Sequence, residues 1–444
     1  MESLGIAGVG LFLLVVMLML LAGGVWIAMT LAIVGWIGMA LFTDMQAARW
    51  GENLFVAMWG SSASWELAAL PLFIWMGEIL FRTRLSEQMF EGLAPWLGRV
   101  PGRLMHTTIL GCGIFGSVSG SSAATCATIA KVALPELKRR GYDEQLALGS
   151  LATAGTLGIL IPPSITMVVY AVAADASIIR IFLAGFIPGL ILMMLFSGYI
   201  GWWSLRHPDR VPAPDPIPGF LEKVRRSGQL IPCALLIVFI VWVLVAGWAT
   251  ATECAAYGVL GSLVIAAAGR SLTWTSFRDS LMSATRVSCM IMFILAGAAF
   301  LTKTMAFTGI PRLLAESVAA LNLPPYALIA VLAVVYLILG TALDGISMIV
   351  LTAAVVLPMI QQAGFDLVWF GIFIVLLVEI AEVTPPVGFN LFVLQNMTGI
   401  DSNRIARAAL PFFAMLLICI ALITAFPVIV TWLPDLLMGP VAPR

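Results

Sequence analysis

Ten apolar runs of about transmembrane length dominate this chain and restrict what it can fold into. They lie near 3–22, 25–43, 67–82, 145–172, 179–204, 229–248, 253–269, 287–302, 368–395 and 408–433. Runs of roughly 18 residues or more with few charges suit helices crossing a bilayer. They do not alternate over ten-residue segments, so a transmembrane β-barrel is excluded. Of the 444 residues, 61% are hydrophobic and only 10% charged, against roughly 25% charged in a soluble domain. That apolar surface cannot be hidden in one soluble core. The expected fold class is therefore an all-α polytopic membrane protein.

Charge and reactive side chains remove other classes. Lys plus Arg and Asp plus Glu both number 23, so there is no basic excess for nucleic acid. The six cysteines stand singly, without disulfide or metal-ligand spacing, and read as small buried hydrophobes. His106 and His207 are far apart and have no nearby Cys partner. Glu2 and the length of the first run point to a retained membrane helix instead of a signal peptide.

The chain repeats itself. An offset of 223 residues places Leu134-Pro135 on Leu357-Pro358, Gly141-Tyr142-Asp143 on Gly364-Phe365-Asp366, Pro162-Pro163 on Pro385-Pro386, and Pro101 on Pro324. Apolar residues match by chance in membrane proteins, but Pro, Gly and Asp at one offset do so far less often. The Pro-rich, basic segment 205–228 separates a first half, 1–204, from a second half, 229–444. Each half is expected to hold scaffold helices, an arm helix (82–103 and 305–326), a re-entrant hairpin (104–133 and 326–356) and a broken helix (145–172 and 368–395).

Loop charge sets the expected orientation. Loop 134–143 carries Lys138, Arg139 and Arg140, while its counterpart 357–366 has no Lys or Arg. Segments 82–103, 205–228 and 270–286 are also basic, and the positive-inside rule assigns them to the cytoplasm. Five spans between the paired loops independently require opposite sides. Both arguments predict an inverted repeat with both termini outside. An inverted repeat with interrupted elements is the plan of a secondary transporter.

The interruptions carry the chemistry. Lipid offers no hydrogen bonds, so unwound backbone survives at membrane depth only inside protein or beside a polar cavity. The first tip offers Ser117, Ser119, Gly120, Ser121, Ser122 and Thr125, and neutral oxygen suits a hard cation such as Na⁺. The same small residues also suit close helix packing. The second tip offers Gly340, Thr341, Asp344 and Gly345. An unpaired carboxylate there costs at least ~2.5–3.5 kcal/mol on insertion scales. Its candidate partners are Na⁺, a proton or the N–H groups of a helix it caps. Gly155, Thr156, Pro162, Pro163 and Ser164 mark the first broken helix. Thr384, Pro385, Pro386, Gly388 and Asn390 mark the second. Glu379 and Glu382, three apart on one helix face, precede that second break and suit a solute contact, a gate, an ion contact, a proton carrier or a polar tether.

No catalytic residues are expected. An intramembrane serine protease needs a Ser–His pair on facing helices, and an aspartyl one needs a second membrane Asp. The chain lacks a phosphate-binding Gly-x-x-x-x-Gly-Lys-Ser/Thr motif and is expected to use no ATP by that route.

The run Phe115-Gly116-Ser117-Val118-Ser119-Gly120-Ser121-Ser122-Ala123-Ala124-Thr125, followed by 134–143, resembles the large membrane subunit of tripartite ATP-independent periplasmic (TRAP) transporters. So do 155–164, Phe182-Leu183-Ala184-Gly185-Phe186-Ile187-Pro188-Gly189, Leu343-Asp344 and 384–392. The resemblance spans about 3–433. It implies an elevator-type Na⁺-coupled importer of a carboxylate-bearing solute in the bacterial inner membrane, with hairpin tips that help to bind Na⁺. It also implies a small four-helix membrane subunit and a periplasmic solute-binding protein as partners, with no cofactor beyond Na⁺ as coupling ion. A single-component Na⁺/divalent-anion symporter would share the architecture but need no binding protein.

Overall fold

The computed structural model describes residues 5–43, 45–83, 85–213, 219–310, 324–341, 343–385 and 388–440. Its longer regular elements are all α-helical. The first half holds α1 (Gly5–Ala22), α2 (Ile27–Phe42), α3 (Ala47–Ser62), α4 (Ala69–Phe81), α5 (Leu85–Leu97), α6 (Leu104–Ser119), α7 (Ser122–Arg139), α8 (Glu144–Ala154), α9 (Leu157–Leu160), α10 (Ile165–Ala173) and α11 (Ile178–Arg206). After α12 (Phe220–Ser227), the second half holds α13 (Ile231–Val245), α14 (Ala251–Ala268), α15 (Trp274–Thr308), α16 (Pro325–Gly340), α17 (Gly345–Gln362), α18 (Leu367–Glu382), α19 (Phe389–Thr398), α20 (Ser402–Ala425) and α21 (Val428–Met438).

Among the described residues, five helices are long and apolar enough to cross a membrane: α11, α14, α15, α17 and α20. Helices α8–α9 and α10 form a further apolar pair bent by 45° at the intervening break. The run expected at 287–302 is the centre of α15, which begins 13 residues earlier, at Trp274. The run expected at 408–433 is divided by Phe426-Pro427 into α20 and α21. Helix α3 lies between expected spans, because Arg49, Glu52 and Asn53 interrupt its apolar residues. The arm helix expected at 305–326 falls largely on 311–323, outside the described residues.

The repeated residues do the same physical work in both halves. Gly141 and Gly364 take φ values of 78° and 80°, a left-handed turn that glycine enters without steric cost. Two residues on, Asp143 caps α8 by accepting from Leu146 N at 2.9 Å. Asp366 caps α18 by accepting from Val368 N at 2.7 Å and Trp369 N at 2.9 Å. The hairpin tips repeat the device at the same offset. Ser121 accepts from Ala124 N to cap α7, and Asp344 accepts from Ser347 N to cap α17. Such caps satisfy N–H groups that a helix start leaves without partners.

Helix α6 runs to the first tip and α7 returns from it. At their open ends Leu104 N–H donates to the Tyr142 hydroxyl at 3.3 Å. Helices α16 and α17 form the second pair, whose open ends meet where the rings of Tyr326 and Phe365 lie 6.0 Å apart. The basic segments gather at one end of the molecule. Arg82 donates to the Asp279 carbonyl, Trp96 Nε1 donates to Ser227 Oγ at 2.6 Å, and Arg210 pairs with Asp143 at 3.6 Å.

Burial separates an inner from an outer layer. Every residue from Val368 to Ala381 in α18 is buried, as is nearly all of α8 to α10. A helix apolar all round belongs in such a core. Helices α1, α13, α14 and α16 instead expose Leu11, Val238, Val264 and Val334, as a lipid-facing layer should. Small residues set the closest approaches. A Cβ on Gly149 of α8 would lie 2.1 Å from the Ala408 carbonyl oxygen of α20, and one on Gly297 of α15 2.6 Å from the Ala28 oxygen of α2.

Backbone atoms cannot rotate aside, so Gly149→Ala should destabilise the protein by about 1–3 kcal/mol, as overpacking does. Gly60→Ala meets nothing within 4 Å and should not. Thermal unfolding of the purified protein in detergent measures both, and an unchanged midpoint for Gly149→Ala would contradict the packing.

Candidate functional site

The first tip is seated on the first break. Ile165 N–H donates to the Gly120 carbonyl at 3.3 Å. A Cβ on Gly158 would lie 2.6 Å from Thr125 Oγ1 and 2.8 Å from the Ser121 oxygen, and one on Gly116 2.6 Å from Gly158 Cα. Glycine at 116 and 158 is what lets tip and break touch. Within the tip, Ser119 Oγ and Thr125 Oγ1 share a 2.6 Å hydrogen bond, and Ser121 N–H donates to Ser119 Oγ at 3.3 Å. Ser117 donates to the Ile114 carbonyl on its own helix. At the break, Ser164 Oγ donates to the Ile159 carbonyl at 2.6 Å, across Pro162 and Pro163.

The second tip sits on α18. A Cβ on Gly340 would lie 2.3 Å from Ala381 Cβ, and one on Gly345 2.1 Å from Val378. Asp344 accepts from both the N–H and the hydroxyl of Ser347. Of the candidate partners, the capped N–H group is thus present. Ser347, at the end of the second tip, completes this cap, and its position three residues after a capping Asp was the available signal. Thr341 donates to Ile338 and Thr384 to Ile380, both one turn back on their own chain. Pro385 is exposed and Gly388 buried, while Pro386 lies outside the described residues.

The two halves interlock through α18 and α19. Glu379 is wholly buried and faces the hydroxyl of Thr156, whose proton goes to the Thr153 carbonyl at 2.7 Å. Neither Glu379 carboxylate oxygen forms a hydrogen bond. Glu382 faces Ser122 of the first tip and lies within electrostatic reach of Asp344 of the second. Its Oε2 and the Ser122 hydroxyl are both buried without a hydrogen bond. Asn390 Nδ2 donates to the Ala152 carbonyl at 2.8 Å beside Gly155, while its buried Oδ1 has no partner. Ser122, Thr156, Glu379, Glu382 and Asn390 thus join the two halves, whereas Ser117 and Thr341 satisfy themselves locally.

Buried polar atoms are normally hydrogen-bonded, and each exception calls for an explanation. Four residues around one junction carry such exceptions here. Among the described residues no three His, Cys, Asp or Glu side chains are close enough to hold a metal ion together.

The architecture is shared with the YdaH transporter of Alcanivorax borkumensis. The TM-score is 0.65 at 12% sequence identity, over 94% of this chain and 98% of that one. Fold and apolar helices together define a multi-pass membrane protein. Within that class, the chain belongs to the tripartite ATP-independent periplasmic transporters as their large permease, the DctM component, whose sequence model matches residues 14–429. It is 30% identical to the C4-dicarboxylate TRAP transporter large permease protein of Vibrio cholerae, over 97% of this chain and 98% of the relative. It is 27% identical to the sialic acid TRAP transporter large permease protein of the same organism, over 86% and 89%. These relatives are permeases, and the chain is not an enzyme.

Ser119→Ala breaks the hydrogen bond to Thr125 that closes the tip and should cost about 1 kcal/mol of stability. Thermal unfolding in detergent measures it, and an unchanged midpoint would contradict the bonding of the tip. Ser122, which faces Glu382 across the halves, should on replacement by Ala lower transport, and unchanged uptake would remove it from the site.

Proposed function

We propose that this permease couples Na⁺ entry to uptake of a carboxylate-bearing organic acid across the bacterial inner membrane. The solute is received from a periplasmic binding protein, and a small four-helix membrane subunit completes the complex. One observation carries the reading: two hairpin tips and two helix breaks converge on a junction that holds buried, unpartnered polar atoms. A C4-dicarboxylate and sialic acid, named for the two relatives, are both organic acids.

In this reading the hairpins are re-entrant and the two halves are inverted in the membrane. The basic end, with Lys138, Arg139 and Arg140, faces the cytoplasm. Na⁺ binds to oxygen at the tips and breaks, drawn from Ser117, Ser119, Gly120, Ser121, Thr125, Gly155 and Thr156 in the first half. Gly340, Thr341, Asp344, Gly345 and Thr384 supply the second. Ser122, Pro162, Pro163, Ser164, Glu379, Glu382, Pro385, Pro386, Gly388 and Asn390 form the solute pathway or its gate.

Electrostatics gives the coupling. Among the described residues no Lys, Arg or His pairs with Glu379, Glu382 or Asp344, so the junction is short of positive charge. An anionic solute entering there meets no counter-charge of the protein, and bound Na⁺ supplies one. Solute and Na⁺ then favour each other's binding, and by linkage the effect is reciprocal.

Uptake by vesicles holding the permease and small subunit, with binding protein outside, tests the function. It should require both an inward Na⁺ gradient and the binding protein. Uptake that ignores Na⁺ refutes the coupling, and uptake without binding protein favours a single-component symporter. Asp344→Asn separates cap from charge, because Asn caps a helix about as well as Asp. The variant should fold normally and require roughly tenfold more Na⁺, about 1.4 kcal/mol. Unchanged sodium activation would remove Asp344 from the ion site.

A further inference from the structure

A cavity of about 490 Å³ lies where the end of α4 meets the start of α15, apart from the polar junction. Its wall carries three guanidinium groups, Arg82, Arg278 and Arg286, against one carboxylate, Asp279. Arg82 is partly satisfied, by Glu78 at 3.5 Å and the Asp279 carbonyl at 3.4 Å. Arg278 and Arg286 are exposed and make no ion pair or hydrogen bond with any described residue. Unpaired guanidiniums around one cavity repel each other, and an anion entering it would relieve that repulsion. Their planar forks match phosphate oxygens in particular.

The helix says more about the ligand. Arg278, Met282, Arg286 and Met290 follow at intervals of four residues and Phe293 three later, so they share one face of α15. Met282, Met290 and Phe293 are exposed apolar side chains. Cationic groups thus sit at one end of a stripe that becomes apolar towards the middle of the helix. The cationic end lies at an aromatic level: Trp274 stacks on Phe277 at 5.7 Å, and Trp75 Nε1 donates to Ser280 Oγ at 3.3 Å. Such aromatic residues mark the headgroup region of a bilayer.

We propose that this groove binds an anionic phospholipid. Its phosphate sits among Arg82, Arg278 and Arg286, and its acyl chains lie along Met290 and Phe293. A free phosphate would leave the apolar stripe unused, whereas a zwitterionic lipid would bring its own cation against the arginines. Basic pockets between membrane helices bind anionic headgroups in this way. The proposal rests on the chain being a membrane protein and is independent of Na⁺ coupling.

Native mass spectrometry of the full-length protein released from detergent tests it. Phosphatidylglycerol, phosphatidylethanolamine and inorganic phosphate are added separately. Phosphatidylglycerol should be retained at least roughly tenfold better than phosphatidylethanolamine. The double variant Arg278→Gln/Arg286→Gln should lose that preference and keep the same weak phosphatidylethanolamine binding. The single variant Arg286→Gln, changed at one exposed position, should show a partial loss if the double variant does not fold. Equal retention of both lipids overturns the proposal, as does an unchanged preference in the variants. Binding of inorganic phosphate as tight as that of the lipid would make the site one for the free ion. Variants that keep the lipid preference but no longer bind the small membrane subunit would assign the arginines to a protein partner.

Discussion

Backbone that leaves a helix inside a membrane must find its hydrogen bonds within the protein, and the rest of this structure follows from how that demand is met. Four segments are interrupted, and in the first half tip and break are buried against each other. The first tip closes on the first break through the Ile165 to Gly120 hydrogen bond. The second tip is capped by its own Asp344 and packs on α18 at Val378 and Ala381. A single broken element would strand polar groups in an apolar core. Brought together, broken elements make a polar junction into which α18, buried from Val368 to Ala381, carries Glu379.

That junction is nevertheless not fully satisfied. Glu379, Glu382, Ser122 and Asn390 retain buried atoms without hydrogen bonds, although the tips and breaks around them are well bonded. Asn390 still donates to the Ala152 carbonyl, and it is the atoms left without partners that the proposed ion and solute contacts would use. The same logic applies on a smaller scale at the basic end. There the arginines of α15 project from a helix whose inner face is held by Gly297 and Thr304 against α2. Packing fixes one face of the helix and leaves the other to solutes or lipids.

Much of this was legible in the sequence for identifiable physical reasons. The Gly-x-Asp motif at 141 and 364 repeats because a left-handed glycine and an aspartate cap are needed wherever one helix stops and a core helix starts. Ser121 and Asp344 fall at the same offset for the same reason. Helix α3 was hidden because its polar residues break the hydropathy signal, and the true length of α15 because its first turns are amphipathic. Which side chains meet across the halves was not legible. The approach of Glu382 to Ser122, 260 positions apart in sequence, depends on how α18 crosses the first hairpin. Spacing along the chain carries no information about that.

If hairpins and broken helices share ions and solute, they must travel together past the remaining helices. The structure offers a direct place to test this, because Gly77 of α4 lies against the first tip: a Cβ there would sit 2.9 Å from the Ser119 oxygen and 3.1 Å from that of Val118. In a cysteine-free background, a cross-link between non-glycine residues facing each other on α4 and α6 ties the first hairpin to α4. A second cross-link, between non-glycine residues of α6 and α9, ties the hairpin only to its own break. Na⁺-driven uptake should stop with the first, return on reduction, and survive the second. Uptake that survives the α4–α6 cross-link would contradict the account, because the tip would then not move relative to α4.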